Sequence, residues 1–295
     1  MSELRYLRPR TVKAACVLLR EHGGGSAVLG GGTAFVLMLR QGLIRPNVIV
    51  SLQDVVSDGR QQWSGVAAGR RVTRVGAGTT LADLAASPHV RLRHPSLAAA
   101  ASLVGNPRIR NVATIGGNLA EADYASDPPS VLVSLGARCV LRSATGTREL
   151  SVSDLLTGPY QTALRPDENI TAILVPRPRR GERSVYARYA ARSSEDRPAI
   201  SVATTGVVRD GIVKQLRVVV GAVEAKPRQF PDIVRTIRGR RLDQAAIEAV
   251  AAGYAERVSP IEDQRGTAGY RRQLVRTYVA RSLRALATGE GKVLR

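Results

Sequence analysis

Two separated glycine clusters carry the chemistry that this sequence indicates most strongly. Gly116 and Gly117 lie in the run IRNVATIGGNLAEADYASDPP, after a β-branched stretch from Val112 to Ile115 that predicts a short strand. Glycine has no Cβ to keep a ligand away from the backbone, and Asn118 can cap the turn that follows. The run therefore predicts outward-facing N–H groups that can hold a phosphate.

A second glycine cluster lies upstream and has the same order of elements. The triplet Gly30 to Gly32 follows the apolar strand end Ala27 to Leu29, and Thr33 opens the helical run AFVLMLRQG. A strand, a glycine turn and a helix start bring unpaired N–H groups and the positive end of the helix dipole to one point. This order predicts an anion site, although tight turns also use glycine without any ligand.

A third glycine element, GAGTTLADL from Gly76 to Leu84, places small residues ahead of a predicted helix with Thr79 or Thr80 as its N-cap. For this element a simple capped turn and a ligand contact are both open. None of the three elements has the G-x-G-x-x-G spacing, and no G-x-x-x-x-G-K-[ST] run occurs. The usual Rossmann and P-loop nucleotide sites are therefore excluded.

Together these runs resemble one known family. LGGGTAFVLMLRQG, GAGTTLADL, the block from Ile109 to Ala137 and the late run YRRQLVRTYVARSLRAL occur in this order. They resemble the FAD-binding medium subunits of the molybdenum hydroxylases, the group of carbon monoxide dehydrogenase and xanthine dehydrogenase. The resemblance covers nearly the whole chain, and the long middle block is its most specific part.

The resemblance implies an α+β architecture. Its first part is a two-lobed FAD-binding fold of the vanillyl-alcohol-oxidase/PCMH type, over residues 1–175, with lobes at about 1–56 and 57–175. A smaller C-terminal sheet-plus-helices domain of the carbon monoxide dehydrogenase flavoprotein type follows over residues 176–295.

The resemblance also assigns FAD contacts, residue by residue. The resemblance places Asp127 near the adenosine ribose. The alternative interpretation is that Asp127 is only a turn residue before Pro128. Near the isoalloxazine the resemblance places Ile170, Tyr186 and Arg188, with Tyr189 as an alternative because the segment is about one residue longer here. The remaining contacts are Gly30, Gly31, Gly32, Thr33 and Ala34 in the first loop, Gly78 and Thr79 in the third element, and Thr114, Ile115, Gly116, Gly117 and Asn118 in the second loop.

Some positions depart from the family pattern. Ala34 stands where relatives usually carry Ser, Asn106 replaces a common His, Tyr124 a common Pro and Arg188 a common Lys. These substitutions do not affect the glycine residues that the resemblance assigns to FAD binding. They leave the identity of the electron acceptor undetermined. The segment from Tyr186 to Asp196 is predicted to be an adjustable loop beside the flavin ring.

The resemblance implies a function as well. The chain is expected to bind FAD and to relay electrons from the [2Fe-2S] clusters of a small partner subunit to an acceptor such as NAD, a quinone or oxygen. Hydroxylation would occur on a large molybdenum-cofactor subunit, so no catalytic acid, base or nucleophile is expected in this chain. A dimer of such heterotrimers is left open. The alternatives are a stand-alone FAD-dependent dehydrogenase or oxidase acting on a small molecule in specialised metabolism, and a nonenzymatic basic binding protein.

Composition limits the possible partners. The 295 residues carry a formal net charge of +20, but only Lys13, Lys214, Lys226 and Lys292 are lysines, as in proteins of GC-rich genomes. The densest basic run, PRPRRGER from Pro176 to Arg183, reads as an exposed linker, so an acidic protein partner is favoured over nucleic acid. No run is long and apolar enough for a membrane helix, and no signal core opens the chain, so a cytoplasmic protein is expected.

Cysteine and histidine usage predicts no metal site. Cys16 and Cys139 lie in apolar patterns and are expected in the core, and two isolated thiols cannot supply the four ligands of a cluster or a structural zinc. His22, His89 and His94 are read as surface or loop residues. Hydrophobic periodicity and the positions of capping and turn residues predict the order of the elements. A helix over 11–22, capped by Thr11, belongs to a small parallel βαβ unit. A mostly antiparallel second lobe with a helix at 98–104 follows, and then late helices over 242–257 and 269–287.

Overall fold

A small parallel sheet opens the fold. The computed structural model describes residues 4–58, 61–193, 195–289 and 293–294. The first lobe consists of β1 (Arg5–Leu7), α1 (Val12–His22), β2 (Ser26–Leu29), α2 (Phe35–Arg40) and β3 (Val48–Ser51). The strands are parallel in the order β1-β3-β2. The Thr11 side chain accepts a hydrogen bond from the Ala14 N–H and begins α1, which confirms the predicted cap.

The second lobe is built on an antiparallel sheet of five strands in the order β6-β7-β12-β8-β9. Helices α3 to α8 connect β7 to β8. In chain order the elements are β4 (Ser57–Asp58), β5 (Gln61–Gln62), β6 (Val66–Ala68), β7 (Val72–Gly76), α3 (Leu81–Ala86), α4 (Pro88–Arg93), α5 (Pro95–Leu103), α6 (Pro107–Arg110), α7 (Ile115–Glu121), α8 (Asp127–Ser134), β8 (Arg138–Arg142), β9 (Thr147–Ser151), α9 (Val152–Leu155), β10 (Leu156–Gly158), β11 (Gln161–Thr162) and β12 (Asn169–Pro176).

The C-terminal domain is a sheet covered by two long helices. Its sheet has the order β15-β14-β13-β16, antiparallel except for β16, which runs parallel to β13. The two late helices begin and end within a few residues of the predicted positions. The elements are β13 (Glu182–Tyr189), β14 (Ile200–Arg209), β15 (Ile212–Gly221), α10 (Pro231–Arg235), α11 (Gln244–Arg257), α12 (Ala268–Thr288) and β16 (Val293–Leu294).

Helix α8 joins the second lobe to the C-terminal sheet. All eight of its residues are buried, and it packs against α5 on one side and against β14 and β15 on the other. Ser130 lies 3.3 Å from the Ser201 hydroxyl, and Ser134 lies 3.1 Å from the Thr205 hydroxyl, so polar pairs as well as apolar contacts cross this interface. One hydrophobic cluster accordingly includes residues of both domains.

Three local expectations are wrong. The stretch Val112 to Ile115 forms no strand: Thr114 makes one isolated bridge to Thr80, and α7 begins at Ile115. The segment from Tyr186 to Asp196 is only partly a loop. Its first four residues, Tyr186 to Tyr189, belong to β13 and pair with β14, so the loop begins at residue 190. Its Ser194 lies outside the described residues.

His94 is the third correction, because it is buried rather than on the surface. It lies between α4 and α5 with no exposed area, and its Nε2 is 2.9 Å from the Thr73 hydroxyl, which also lies 3.0 Å from Nε2 of His89. Burial, with smaller effects from His89 and Arg93, lowers the pKa of His94 to about 4. The ring is therefore a neutral part of the core. Cys16 and Cys139 are buried there, as predicted.

Within the described part of the chain, no helix has the length and apolarity needed to cross a membrane. The same residues contain no group of three or more His, Cys, Asp or Glu side chains placed to hold a metal ion.

The α8 interface makes a prediction about stability. Leu132 on α8 is fully buried. Leu132→Ala should lower the free energy of unfolding by about 2–5 kcal/mol, because it removes apolar contacts and leaves a cavity. Urea unfolding measures the change. The matched control Leu43→Ala, at a side chain that is 69% exposed, should stay within about 0.5 kcal/mol of wild type. Equal losses in both variants would contradict the role given to this interface.

Candidate functional site

The first two glycine loops meet in the structure at backbone distance. The loop after β2 lies against the turn before α7, so a Cβ added to Gly31 would lie 2.0 Å from the carbonyl oxygen of Val112. A Cβ on Gly30 would lie 3.4 Å from the Thr114 hydroxyl. Only glycine permits the approach at Gly31. The structure therefore brings together two of the loops that the sequence singled out.

The first loop presents unused donors. Among the residues that the structure describes, the amide N–H groups of Gly30, Gly31, Gly32, Thr33 and Ala34 donate to no protein acceptor. The loop is partly exposed, and the bond from the Val36 N–H to the Gly32 oxygen marks the start of α2. Several free N–H groups on one bend form a concavity that suits an anion.

The second loop differs from the prediction, because its N–H groups do not face outward. The Ile115 N–H donates to Thr79 O at 3.0 Å, and the Gly116 N–H to Ala77 O at 2.8 Å. The Gly117 N–H donates to the Thr114 hydroxyl at 3.0 Å, so Thr114 rather than Asn118 is the cap. The second loop therefore supports the first one. Its residues Val112 and Thr114 pack against Gly31 and Gly30, and its own N–H groups are bonded to the third element.

The third element is a packed support. A Cβ on Gly78 would lie 2.2 Å from Nε1 of Trp63, and a Cβ on Gly116 would lie 2.7 Å from Cβ of Ala77, so both glycines are required by packing. The Thr79 hydroxyl is buried and donates to Gly76 O at 2.6 Å, which leaves only the backbone of Thr79 for any other contact. Thr80, one of the two predicted caps, begins α3.

Ile170 lies beside this third element. It is buried in β12, where the pairing with β8 shifts register between Ile170 and Ala172. The next residue, Thr171, accepts a hydrogen bond from the Ala77 N–H at 3.1 Å. The structure thus gathers the three glycine elements and the Ile170 end of β12 at one side of the second lobe.

Asp127, Tyr186 and Arg188 form a separate, buried cluster between the two domains. The Tyr186 hydroxyl donates to Asp127 Oδ1, and Nη1 of Arg188 lies 3.4 Å from Asp127 Oδ2. Arg188 also donates to Leu103 O at 2.8 Å and to Asp196 O. All three side chains are nearly inaccessible to solvent. The sequence placed these residues at two ends of the cofactor, whereas the structure brings them into contact with one another.

Electrostatics in this cluster are set by burial. Burial raises the pKa of Asp127 to about 7, although Arg188 and the hydrogen bond from Tyr186 act in the opposite direction. Burial, together with the neighbouring Asp127, also raises the pKa of Tyr186 well above its ordinary value. The guanidinium of Arg188 therefore limits the cost of an interior carboxylate.

Sequence reasoning missed a second interdomain cluster. The Tyr124 hydroxyl donates to Asp263 Oδ2 at 2.5 Å, and Arg265 and Arg271 both form ion pairs with Asp263. Burial raises the pKa of Asp263, but the hydrogen bonds from Arg265 and Tyr124 outweigh it and hold that pKa well below its usual range. The departure of Tyr124 from the family's usual Pro was the only signal of this contact.

A nearby ion pair reinforces the same side of the interface. Arg197, in the loop between β13 and β14, lies 2.7 Å from Asp123, which follows α7. No local pattern could have linked these two residues, since they come from different domains.

Two family models together match most of the chain. Residues 2–178 match the FAD binding domain in molybdopterin dehydrogenase, and residues 185–286 match the CO dehydrogenase flavoprotein C-terminal domain. The chain is an FAD-binding medium subunit of the molybdenum hydroxylase family. This confirms the resemblance, the fold class, the FAD cofactor and the assignment to FAD-dependent oxidoreductases.

Individual relatives agree with the family. The nicotine 6-hydroxylase medium subunit of Paenarthrobacter nicotinovorans is 31% identical, over 95% of this chain and 96% of that protein. The carbon monoxide dehydrogenase medium chain of Afipia carboxidovorans is 27% identical, over 94% of each. Among solved structures, a carbon monoxide dehydrogenase from Hydrogenophaga pseudoflava matches with a TM-score of 0.92 and 26% identity, over 97% of this chain and 98% of that chain.

The contact between the first two loops predicts the effect of one methyl group. Gly31→Ala should push the loops apart and weaken FAD binding by at least about tenfold, or about 1.4 kcal/mol, because the added Cβ overlaps the Val112 carbonyl. The ratio of flavin to protein absorbance and a titration with FAD measure this. Gly24→Ala is the control, since a Cβ there meets nothing within 4 Å. Full FAD occupancy in the Gly31 variant would show that the first two glycine loops do not form the FAD-binding site.

The buried cluster predicts a pH-dependent loss. A carboxyl whose pKa is higher in the folded protein than in the unfolded chain stabilises the fold at low pH. For Asp127 this stabilisation is lost as the pH rises towards its folded pKa of about 7, and the positive charge of Arg188 offsets part of the loss. Arg188→Ala should therefore destabilise the protein more at about pH 8, where Asp127 is ionised, than at about pH 5, where it is protonated and still bonded to Tyr186.

Urea unfolding at the two pH values provides the measurement for Arg188→Ala. The control Arg138→Ala removes an exposed ion pair to Glu149 and should cost less than about 1 kcal/mol at both pH values. The same loss at both pH values in the Arg188 variant would refute the electrostatic role of this arginine.

Proposed function

We propose that this chain relays electrons from the [2Fe-2S] clusters of a small partner subunit, through FAD, to an external acceptor. The large partner would carry the molybdenum cofactor and the hydroxylation chemistry. The observation that supports FAD as the bound group is the first loop, with its five free amide N–H groups resting on the second loop. Free amides at a glycine bend suit a diphosphate and need no lysine. Bound FAD supplies the capacity to accept and release electrons.

The residues of this chain would hold, orient and shield the cofactor. The amides of Gly30 to Ala34 would neutralise the diphosphate, and Thr114 to Asn118 would support them. Gly78 and Thr79 would contribute through their backbone, because the Thr79 hydroxyl bonds within the protein. Ile170 would lie against the ring, at the end of β12 next to the third element.

Asp127, Tyr186 and Arg188 would act mainly by fixing the two domains around the cofactor. Tyr186 donates to Asp127, and Arg188 pairs with Asp127 and donates to Leu103 O, so in this role the three side chains would hold β13 against α8 and α5. A direct contact of Asp127 with the ribose would require one of its oxygens to exchange its present partner. Tyr189, the alternative to Tyr186, instead lies against Tyr278 with ring centroids 6.1 Å apart.

This function implies dependence on partners. Related proteins carry names such as carbon monoxide dehydrogenase medium chain and 6-hydroxypseudooxynicotine dehydrogenase complex subunit alpha. By analogy, the chain would work in a complex with a large molybdenum subunit and a small [2Fe-2S] subunit, and such heterotrimers can pair. The flavin needs an electron source close by, because electron transfer weakens steeply with distance.

The test compares the isolated chain with the assembly. The FAD-loaded chain alone should show at most slow oxidation of NADH or artificial donors, while co-expression with subunits encoded beside it should give turnover of an organic substrate. Stopped-flow measurement of flavin reduction distinguishes the two cases. Rapid turnover of a small molecule by the isolated chain would refute the relay and favour a stand-alone dehydrogenase or oxidase.

A further inference from the structure

A groove rich in arginine runs along the junction of the two domains. Its larger cavity, of about 760 Å³, is lined by Arg93 of α4, by Arg177, Arg179 and Arg180 of the linker after β12, and by Arg183 of β13. Glu182 is the only carboxylate among the described lining residues. We call this cavity, together with the adjoining one described next, the arginine groove.

The second cavity extends the first. It has a volume of about 320 Å³ and shares Arg179 and Glu182 with its neighbour. Its lining adds Arg217, Arg235 and Arg238 of the C-terminal domain, and again no further carboxylate among the described residues. The basic surface is therefore elongated, and its arginines come from both domains.

Among the described residues, ten arginines form ion pairs with carboxylates, and none of these ten lines the groove. Even exposed side chains such as Arg8 and Arg138 form ion pairs, with Asp54 and Glu149. No ion pair within 4 Å joins any of the eight groove arginines to another described residue. Like charges gathered without ion pairs destabilise a free surface, and an anionic ligand would relieve this repulsion.

The groove lies far from the cofactor site. Ile170 and Pro176 occupy opposite ends of β12, about 20 Å apart at about 3.3 Å per residue, and the groove begins just beyond Pro176. An occupant of the groove would therefore lie about the length of β12 away from Ile170 and the third glycine element. Its effect would be to anchor a partner rather than to exchange electrons.

We infer that the arginine groove binds an extended acidic segment of a partner protein. An elongated basic surface suits a chain of several carboxylates better than one compact anion, because successive guanidinium groups can each pair with a carboxylate. Leu135, Val185 and Leu216 give it apolar walls for the stems of the bound side chains. This inference does not depend on the electron relay.

Single-stranded nucleic acid fits the groove less well. Such ligands usually stack their bases on exposed aromatic side chains. The only aromatic residue among the described lining residues is Tyr254, which is fully buried and donates its hydroxyl to Val218 O at 2.8 Å. The surface offers charge but no stacking platform.

The test uses the full-length, FAD-loaded chain and a fluorescein-labelled oligoglutamate of about ten residues, which spans up to about 35 Å. Fluorescence anisotropy at low salt should show binding. Combining Arg179→Glu, Arg180→Glu and Arg183→Glu should weaken it at least about tenfold. The matched control combines Arg20→Glu, Arg209→Glu and Arg272→Glu, which changes net charge equally at exposed positions, and should weaken binding less than about threefold.

Three results would overturn the inference: no binding by wild type, equal weakening in both charge-reversal variants, or tighter groove-dependent binding of single-stranded DNA of the same length. The milder pair Arg179→Gln and Arg180→Gln serves if the triple variant does not fold, and should still weaken binding more than Arg20→Gln with Arg272→Gln. FAD content is recorded for every variant. A failure of the electron relay would leave the peptide measurement unchanged, so the two proposals fail separately.

Discussion

The candidate cofactor site depends on one close contact, the approach of the Gly31 backbone to the carbonyl of Val112. At this distance any side chain on Gly31 would separate the first lobe from the second. The contact explains why the two loops have different roles. The amide N–H groups of the first loop are free. Those of the second loop donate to Thr79, Ala77 and Thr114, and these hydrogen bonds make the second loop a rigid support for the first. A binding loop of glycines has little intrinsic rigidity. Here that rigidity is supplied from outside the loop.

Much of the fold could be predicted from the sequence because its signals are local. The cap at Thr11, the parallel strands on either side of α2 and the late helices follow from caps, turns and periodicity. The prediction of a strand at Val112 to Ile115 failed because β-branched residues only favour a strand when a neighbouring strand is present to pair with them. Here the Thr114 hydroxyl caps α7 instead.

The candidate site shows the same division. The three glycine elements could be found from the sequence, since each has its own signature, but their mutual contacts could not. The cluster of Asp127 with Tyr186 and Arg188 joins residues that are distant in the chain, and its carboxylate lies at the first turn of a fully buried helix. His94 was misread for a similar reason: nothing in its local sequence indicates that α4 and α5 enclose it. Burial is a property of the assembled domains.

The packing of Trp63 over Gly78 has a spectroscopic consequence. The chain has a single tryptophan, Trp63, which is 8% exposed and contacts the third glycine element. Tryptophan emission from this protein therefore comes from one known position, beside the glycine loops proposed to hold FAD. Oxidised flavin absorbs where indole emits, so a bound isoalloxazine would quench this emission by energy transfer. The fold thus contains an intrinsic optical reporter of cofactor loading, which needs no label and no substitution.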